Sequence, residues 1–149
     1  MNAIDFRLYL QSVRQAACDA QRARDALLAA EDSLTRIPRA TTDGTFVRTG
    51  FTNDDRVAER IHAYQTTKAQ QATKLHESLE ALRAFRSELE AADLNDLVQR
   101  AMWLRYAHRM TFEQIGERLG LSTTTCWRVI RDGEAVLAEH MGVVESLRR

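Results

Sequence analysis

The chain has 149 residues, with 21 basic and 21 acidic side chains and a formal net charge of zero. That balance excludes a strongly basic nucleic-acid coat protein, but it leaves room for a reader of sequence that needs only a local basic face. Alanine, leucine, arginine and glutamate dominate beside a single proline and six glycines, which predicts an all-α protein of one domain or two small helical units.

From Phe6 onward the apolar residues keep a seven-residue repeat. One row is Phe6, Val13, Ala20, Leu27 and Leu34; its companion is Tyr9, Ala16, Ala23, Ala30 and Ile37. Such a repeat predicts a long coiled-coil-like helix that ends before Pro38. Residues 38–53, with Gly44, Gly50 and several threonines, read as a loop with a short extended piece at Thr45 to Arg48. A second long helix is expected from Asp54 or Asp55, acidic residues that suit a helix N-terminus. Its apolar stripe runs Ile61, Tyr64, Ala72, Leu75, Leu79, Leu82, Phe85 and Leu89, interrupted at Lys68 among glutamines. Two helices of this length fold back as an antiparallel hairpin, so residues 1–92 form an oligomerisation region. The apolar surface of a lone pair is covered either by the C-terminal helices or by a second copy. A homodimer through the N-terminal helices is the expectation.

Residues 93–149 are expected to form a second unit. Asp93 caps a helix whose apolar positions are Leu94, Leu97, Val98, Ala101, Leu104 and Tyr106, with Trp103 in the core or an interface. Arg105, His108 and Arg109 sit at its C-terminal end, where positive charge is favourable. Thr111 then opens a short helix with Gln114 as its capping-box partner, and Phe112, Ile115 and Leu119 give it one apolar side. Gly120 follows where a helix end needs positive φ, Leu121 plugs the corner, and Ser122 caps another helix. Gly116 is small where two crossing helices approach closely. On the helix after Ser122, the residues Cys126, Val129, Ile130, Gly133 and Leu137 gather on one side and Thr124, Trp127, Arg128 and Arg131 on the other. Between Arg118 and Arg131 there are three arginines and no carboxylate. Residues 142–149 read as a short helical or frayed tail.

This short helix, glycine turn and capped second helix form a helix-turn-helix, the DNA-reading unit of many regulators. The segment resembles region 4 of sigma-70-type factors: Leu104-Arg105-Tyr106 is similar to that family's lead-in, and Thr111-Phe112-Glu113-Gln114-Ile115 to its first motif helix. With the long N-terminal helical pair and the Thr/Gly loop, the layout resembles small phage and prophage transcription regulators of the ArpU/RinA type. The resemblance implies a sequence-specific regulator that docks the helix after Ser122 in the major groove of double-stranded DNA. It places DNA contacts on Ser122, Thr123, Thr124, Trp127, Arg128 and Arg131. Cys126 stands where that family carries a larger aliphatic residue, and Trp127 is bulky for a groove-facing position. The promoter-melting region of a complete sigma factor has no counterpart, so a regulator that borrows the module fits better, with RNA polymerase as a further partner of the N-terminal helices. Two other readings use the same features. One is a DNA-recognising packaging subunit of the small terminase type; the other is a helical interaction module without DNA binding, which the neutral charge favours.

No catalytic constellation emerges. Asp43, Asp54, Asp55, Glu59 and His62 lie near one another in sequence, but the aspartates are explained by helix capping, and the remaining histidines lack a ligand spacing. The two cysteines, Cys18 and Cys126, form no C-x-x-C pair and fall on apolar helix faces, which suits a reducing compartment. Asp5 and Arg7 interrupt the start, so no signal peptide is expected, and no apolar run approaches a membrane span. The expectation is a cytoplasmic, non-enzymatic protein without cofactor or metal.

Overall fold

The computed structural model describes residues 1–35 and 53–143. The expected loop with its extended piece at Thr45 to Arg48, Asp43, the companion-row residue Ile37 and the tail residues 144–149 lie outside the described residues. Among the described residues there are five α-helices and no strand: α1 (Ala3–Thr35), α2 (Asn53–Ala91), α3 (Asp96–Tyr106), α4 (Phe112–Leu119) and α5 (Thr123–His140). The described part of the chain is all-α, and none of these helices is long and apolar enough to cross a membrane.

Two compact units form. The first joins Met1–Asp19 to Glu77–Arg149, and the second is Ala20–His76, so each of the two long helices contributes to both. The first unit holds the main core. Phe6, Leu10 and Val13 of α1, Phe85 and Leu89 of α2, and Ala101, Met102 and Leu104 of α3 are buried together with Ile115, Cys126, Ile130 and Leu137. The C-terminal helices thus cover the first turns of α1 and the last turns of α2. At the centre sits Phe85, with the Tyr9, Trp103 and Tyr106 rings at centroid distances of 6.3, 6.3 and 5.9 Å. Offset and edge-on ring pairs of this kind add to simple area burial. The second unit is sparsely packed: among its described residues only Ala20 and Ala23 are buried.

α1 is closed at its start by Asn2, whose side-chain oxygen accepts the Asp5 N–H at 2.8 Å. The row Phe6, Val13, Ala20 is buried as the repeat predicts. The companion row departs from it. Leu10 and Ala17 are buried while Tyr9 and Ala16 are only half-buried, and the seam returns to the expected row at Ala23. Three helices besides α2 pack on the first unit's core, so there α1 must present a stripe wider than a two-row coiled-coil seam. In α2 the half-buried and buried positions are Tyr64, Thr67, Gln71, Leu75, Ser78, Leu79, Leu82, Phe85, Glu88 and Leu89. Ile61 and Ala72, expected in the stripe, are exposed. Heptad continuity backwards from Phe85 passes through Ser78 and Gln71, so hydropathy alone misplaces this part of the seam.

The start of α3 also differs from expectation. Asp93 is not its cap; with φ 54° it is the left-handed residue that ends α2, its N–H donating to the Glu90 carbonyl at 3.3 Å. Asn95 caps α3 instead, accepting the Leu97 N–H at 2.9 Å. Aspartate and asparagine are tolerated both at caps and in the left-handed region, so the string Asp93-Leu94-Asn95-Asp96 does not choose between them.

Candidate nucleic-acid interface

The segment from α3 to α5 is built by local signals that reinforce each other. Thr111 accepts the Gln114 N–H at 3.3 Å while the Gln114 side chain accepts the Thr111 N–H at 3.0 Å, a complete capping box. Arg105 braces the approach: its guanidinium donates to the Met110 carbonyl at 3.0 Å and lies 4.2 Å from the Phe112 ring centroid. α4 closes on Gly120, at φ 72°, with the Leu121 N–H donating to the Gly116 carbonyl at 2.8 Å. Only a residue without Cβ holds that left-handed position without cost. Ser122 then caps α5 by accepting the Thr125 N–H at 3.2 Å, and its hydroxyl is 2.7 Å from that of Thr125.

Gly116 sets how closely α4 meets the turn at Leu121 and the first turn of α5. A Cβ there would stand 2.5 Å from the Leu121 carbonyl oxygen and 3.5 Å from the Cys126 sulfur. Cys126 is fully buried, packed beneath the turn, and burial pushes its thiol up from the ordinary range. Further along, Gly133 lets α5 close on α3: a Cβ there would meet Val98 at 2.6 Å and Met102 at 3.1 Å. Next to it, the Tyr106 hydroxyl donates a short hydrogen bond to the Glu134 carboxylate, tying α3 to α5. The Tyr106 hydroxyl is raised above its ordinary value of 10.0 by burial first, then by the hydrogen bond to Glu134 and its charge, against Arg105 and Arg14.

With Cys126, Ile130, Gly133 and Leu137 buried, the opposite side of α5 faces solvent. Ser122, Thr123, Thr124, Arg128 and Arg131 are exposed, and Trp127 keeps 44% of its surface accessible. Thr124, Trp127, Arg128 and Arg131 share one side, as their spacing requires. The Arg131 guanidinium lies over the Trp127 ring, 5.0 Å from its centroid. Stacking of this kind leaves the guanidinium N–H groups in the ring plane available to another acceptor. Arg128 makes no ion pair among the described residues. The Ser122 hydroxyl is taken up by the cap, so its contribution is to fix the helix start. Val129, expected on the buried side, is half-buried.

Beside this face runs an open groove of about 480 Å³. Its apolar lining includes Phe6, Leu10, Phe112 and Ile130, and its charged lining includes Arg7, Arg131 and Asp132. Sequence reading missed Arg7, because no local pattern links position 7 to position 131. Among the described residues no group of three His, Cys, Asp or Glu side chains converges as a metal site.

In comparisons with known proteins, no family model, no curated protein and no solved structure matches the chain.

Proposed function

We propose that the protein is a sequence-specific DNA-binding transcription regulator of the phage type, and that α4, its glycine turn and α5 act as a sigma-70 region 4-like helix-turn-helix. In this reading α5 lies in the major groove and residues 1–92 supply an antiparallel helical hairpin that sets the oligomeric state. The observation that carries it is the solvent-facing side of α5. A capped, packed helix keeps Thr124, Arg128, Arg131 and a large indole in water, with no carboxylate from Arg118 to Arg131. Arginine forks match a guanine edge or a phosphate, and threonine hydroxyls with the free N–H groups of a helix start suit phosphate oxygens. Trp127 offers a ring to a sugar or a thymine methyl.

The test is a fluorescence-anisotropy titration of duplex DNA from the gene's own upstream region at several salt concentrations. Wild type binds and weakens with salt. Arg128→Ala/Arg131→Ala binds more weakly with a shallower salt slope, because each lost phosphate contact removes about 0.9 from that slope. A double variant indistinguishable from wild type would remove α5 as the reading helix.

A further inference from the structure

Resting on the DNA-binding reading, we propose that Arg7, in the first turns of α1, is a phosphate contact flanking α5. Both α1 before Ala20 and α5 belong to the first compact unit, so their juxtaposition is fixed by one core. Arg7 lines the same groove as Trp127 and Arg131, is exposed, and makes no ion pair among the described residues. Arg14 stands two turns along the same face of α1.

A helix in the major groove has a sugar–phosphate strand on either flank. Beside α5 that flank is this groove. Its apolar lining includes Phe6, Leu10 and Ile130, each no more than 7% exposed. Charges above such a lining are less screened than charges in open water. Two carboxylates share the groove. Glu134 is held by the Tyr106 hydroxyl. Asp132 is exposed and opposes a phosphate directly, so its removal has a predictable sign. A phosphate contact carries no base information: Arg7 contributes equally to every sequence and adds to the salt slope.

The experiment uses the full chain and two duplexes of equal length, one from the gene's own upstream region and one unrelated. Arg7→Ala weakens both by the same factor, severalfold, and lowers the salt slope by about 0.9. Arg7→Lys restores slope and affinity, since a point charge suffices for a phosphate. Asp132→Asn tightens binding at low salt. If Arg7→Ala keeps the wild-type slope while Arg128→Ala/Arg131→Ala flattens it, α1 takes no part and the reading of α5 stands. Loss of binding together with lost helicity in circular dichroism, unrescued by Arg7→Lys, also overturns the proposal. If wild type binds neither duplex even at low salt, both readings fall.

Discussion

At the scale of single residues, two tyrosines in one core differ in a way that stability measurements resolve. The Tyr9 hydroxyl is buried and has no hydrogen-bond partner among the described residues. Tyr106 instead donates to Glu134. Removing an unsatisfied polar atom is nearly free or beneficial, whereas removing one partner of a charged pair leaves the other stranded. Tyr9→Phe therefore leaves the melting temperature unchanged or raises it, while Tyr106→Phe costs about 1–2 kcal/mol in urea unfolding. Both hydroxyls are raised above 10.0, Tyr9 by burial and then the charge of Glu88, Tyr106 by burial and then Glu134. A group that holds its proton more tightly when folded contributes stability that is complete below its unfolded value and lost as pH rises past it. The tyrosine contribution to the urea midpoint is accordingly flat from neutral pH to about pH 9 and falls above about pH 10, so the midpoint falls less there in the Tyr9→Phe/Tyr106→Phe variant. Neither behaviour was legible in the sequence, where both tyrosines read only as apolar positions in a periodic stripe.

At the scale of elements, the junction of α4 and α5 was the most legible part of the chain. Its signals are local: Thr111 with Gln114, Gly120, and Ser122 each act within a few residues, so the sequence alone carries them. The start of α3 was less legible, because the αL residue that ends α2 and the cap that opens α3 draw on the same residue types. The seams of α1 and α2 were legible only in part. Leu10 and Ala17 are buried outside the two expected rows of α1, while Ser78 and Gln71 keep the heptad register of Phe85 with polar side chains that hydropathy does not pick out. Close approach at Gly116 and Gly133 gives an ordering that can be measured. Alanine raises helix propensity by about 1 kcal/mol at either site. At Gly116 its Cβ would meet a backbone carbonyl, which cannot yield; at Gly133 it meets the side chains of Val98 and Met102, which can. Overpacking costs about 1–3 kcal/mol, so Gly116→Ala is net destabilising in thermal melts. Gly133→Ala is the milder of the two, and the reverse ranking would show that the backbone contact at Gly116 does not hold the turn.

At the scale of the whole molecule, the two compact units differ in how well they account for their own stability. The first has a core of large side chains. In the second, Ala20 and Ala23 are the buried residues among those described, while Leu28, Val57 and Ile61 are 64%, 54% and 44% exposed. Helices gain most of their stability from packing, and a buried branched side chain contributes about 1.5–3 kcal/mol that an exposed one does not. We propose that a second copy covers this part of the molecule. Sedimentation then shows a concentration-dependent dimer, and Val57→Glu/Ile61→Glu shifts it to monomer. A wild-type chain that stays monomeric at every concentration would refute this. Of these residues only Ile61 stood in the apolar stripe read from the sequence, and its exposure depends on what surrounds it, which the sequence does not carry.

The first compact unit is discontinuous along the chain, drawing on Met1–Asp19 and then on everything from Glu77. During synthesis Phe6, Leu10 and Val13 therefore leave the ribosome long before Phe85, Met102 or Leu137 exist to receive them. Their apolar stripe must wait exposed, or in some provisional partnership, until α5 has been made. Such long-range closure is slow compared with the formation of any one helix, and it leaves an interval in which nascent chains can associate wrongly. The geometry that ties Arg7 to α5 thus carries a kinetic cost: the same residues that finish the groove make the chain's opening segment dependent on its last helix.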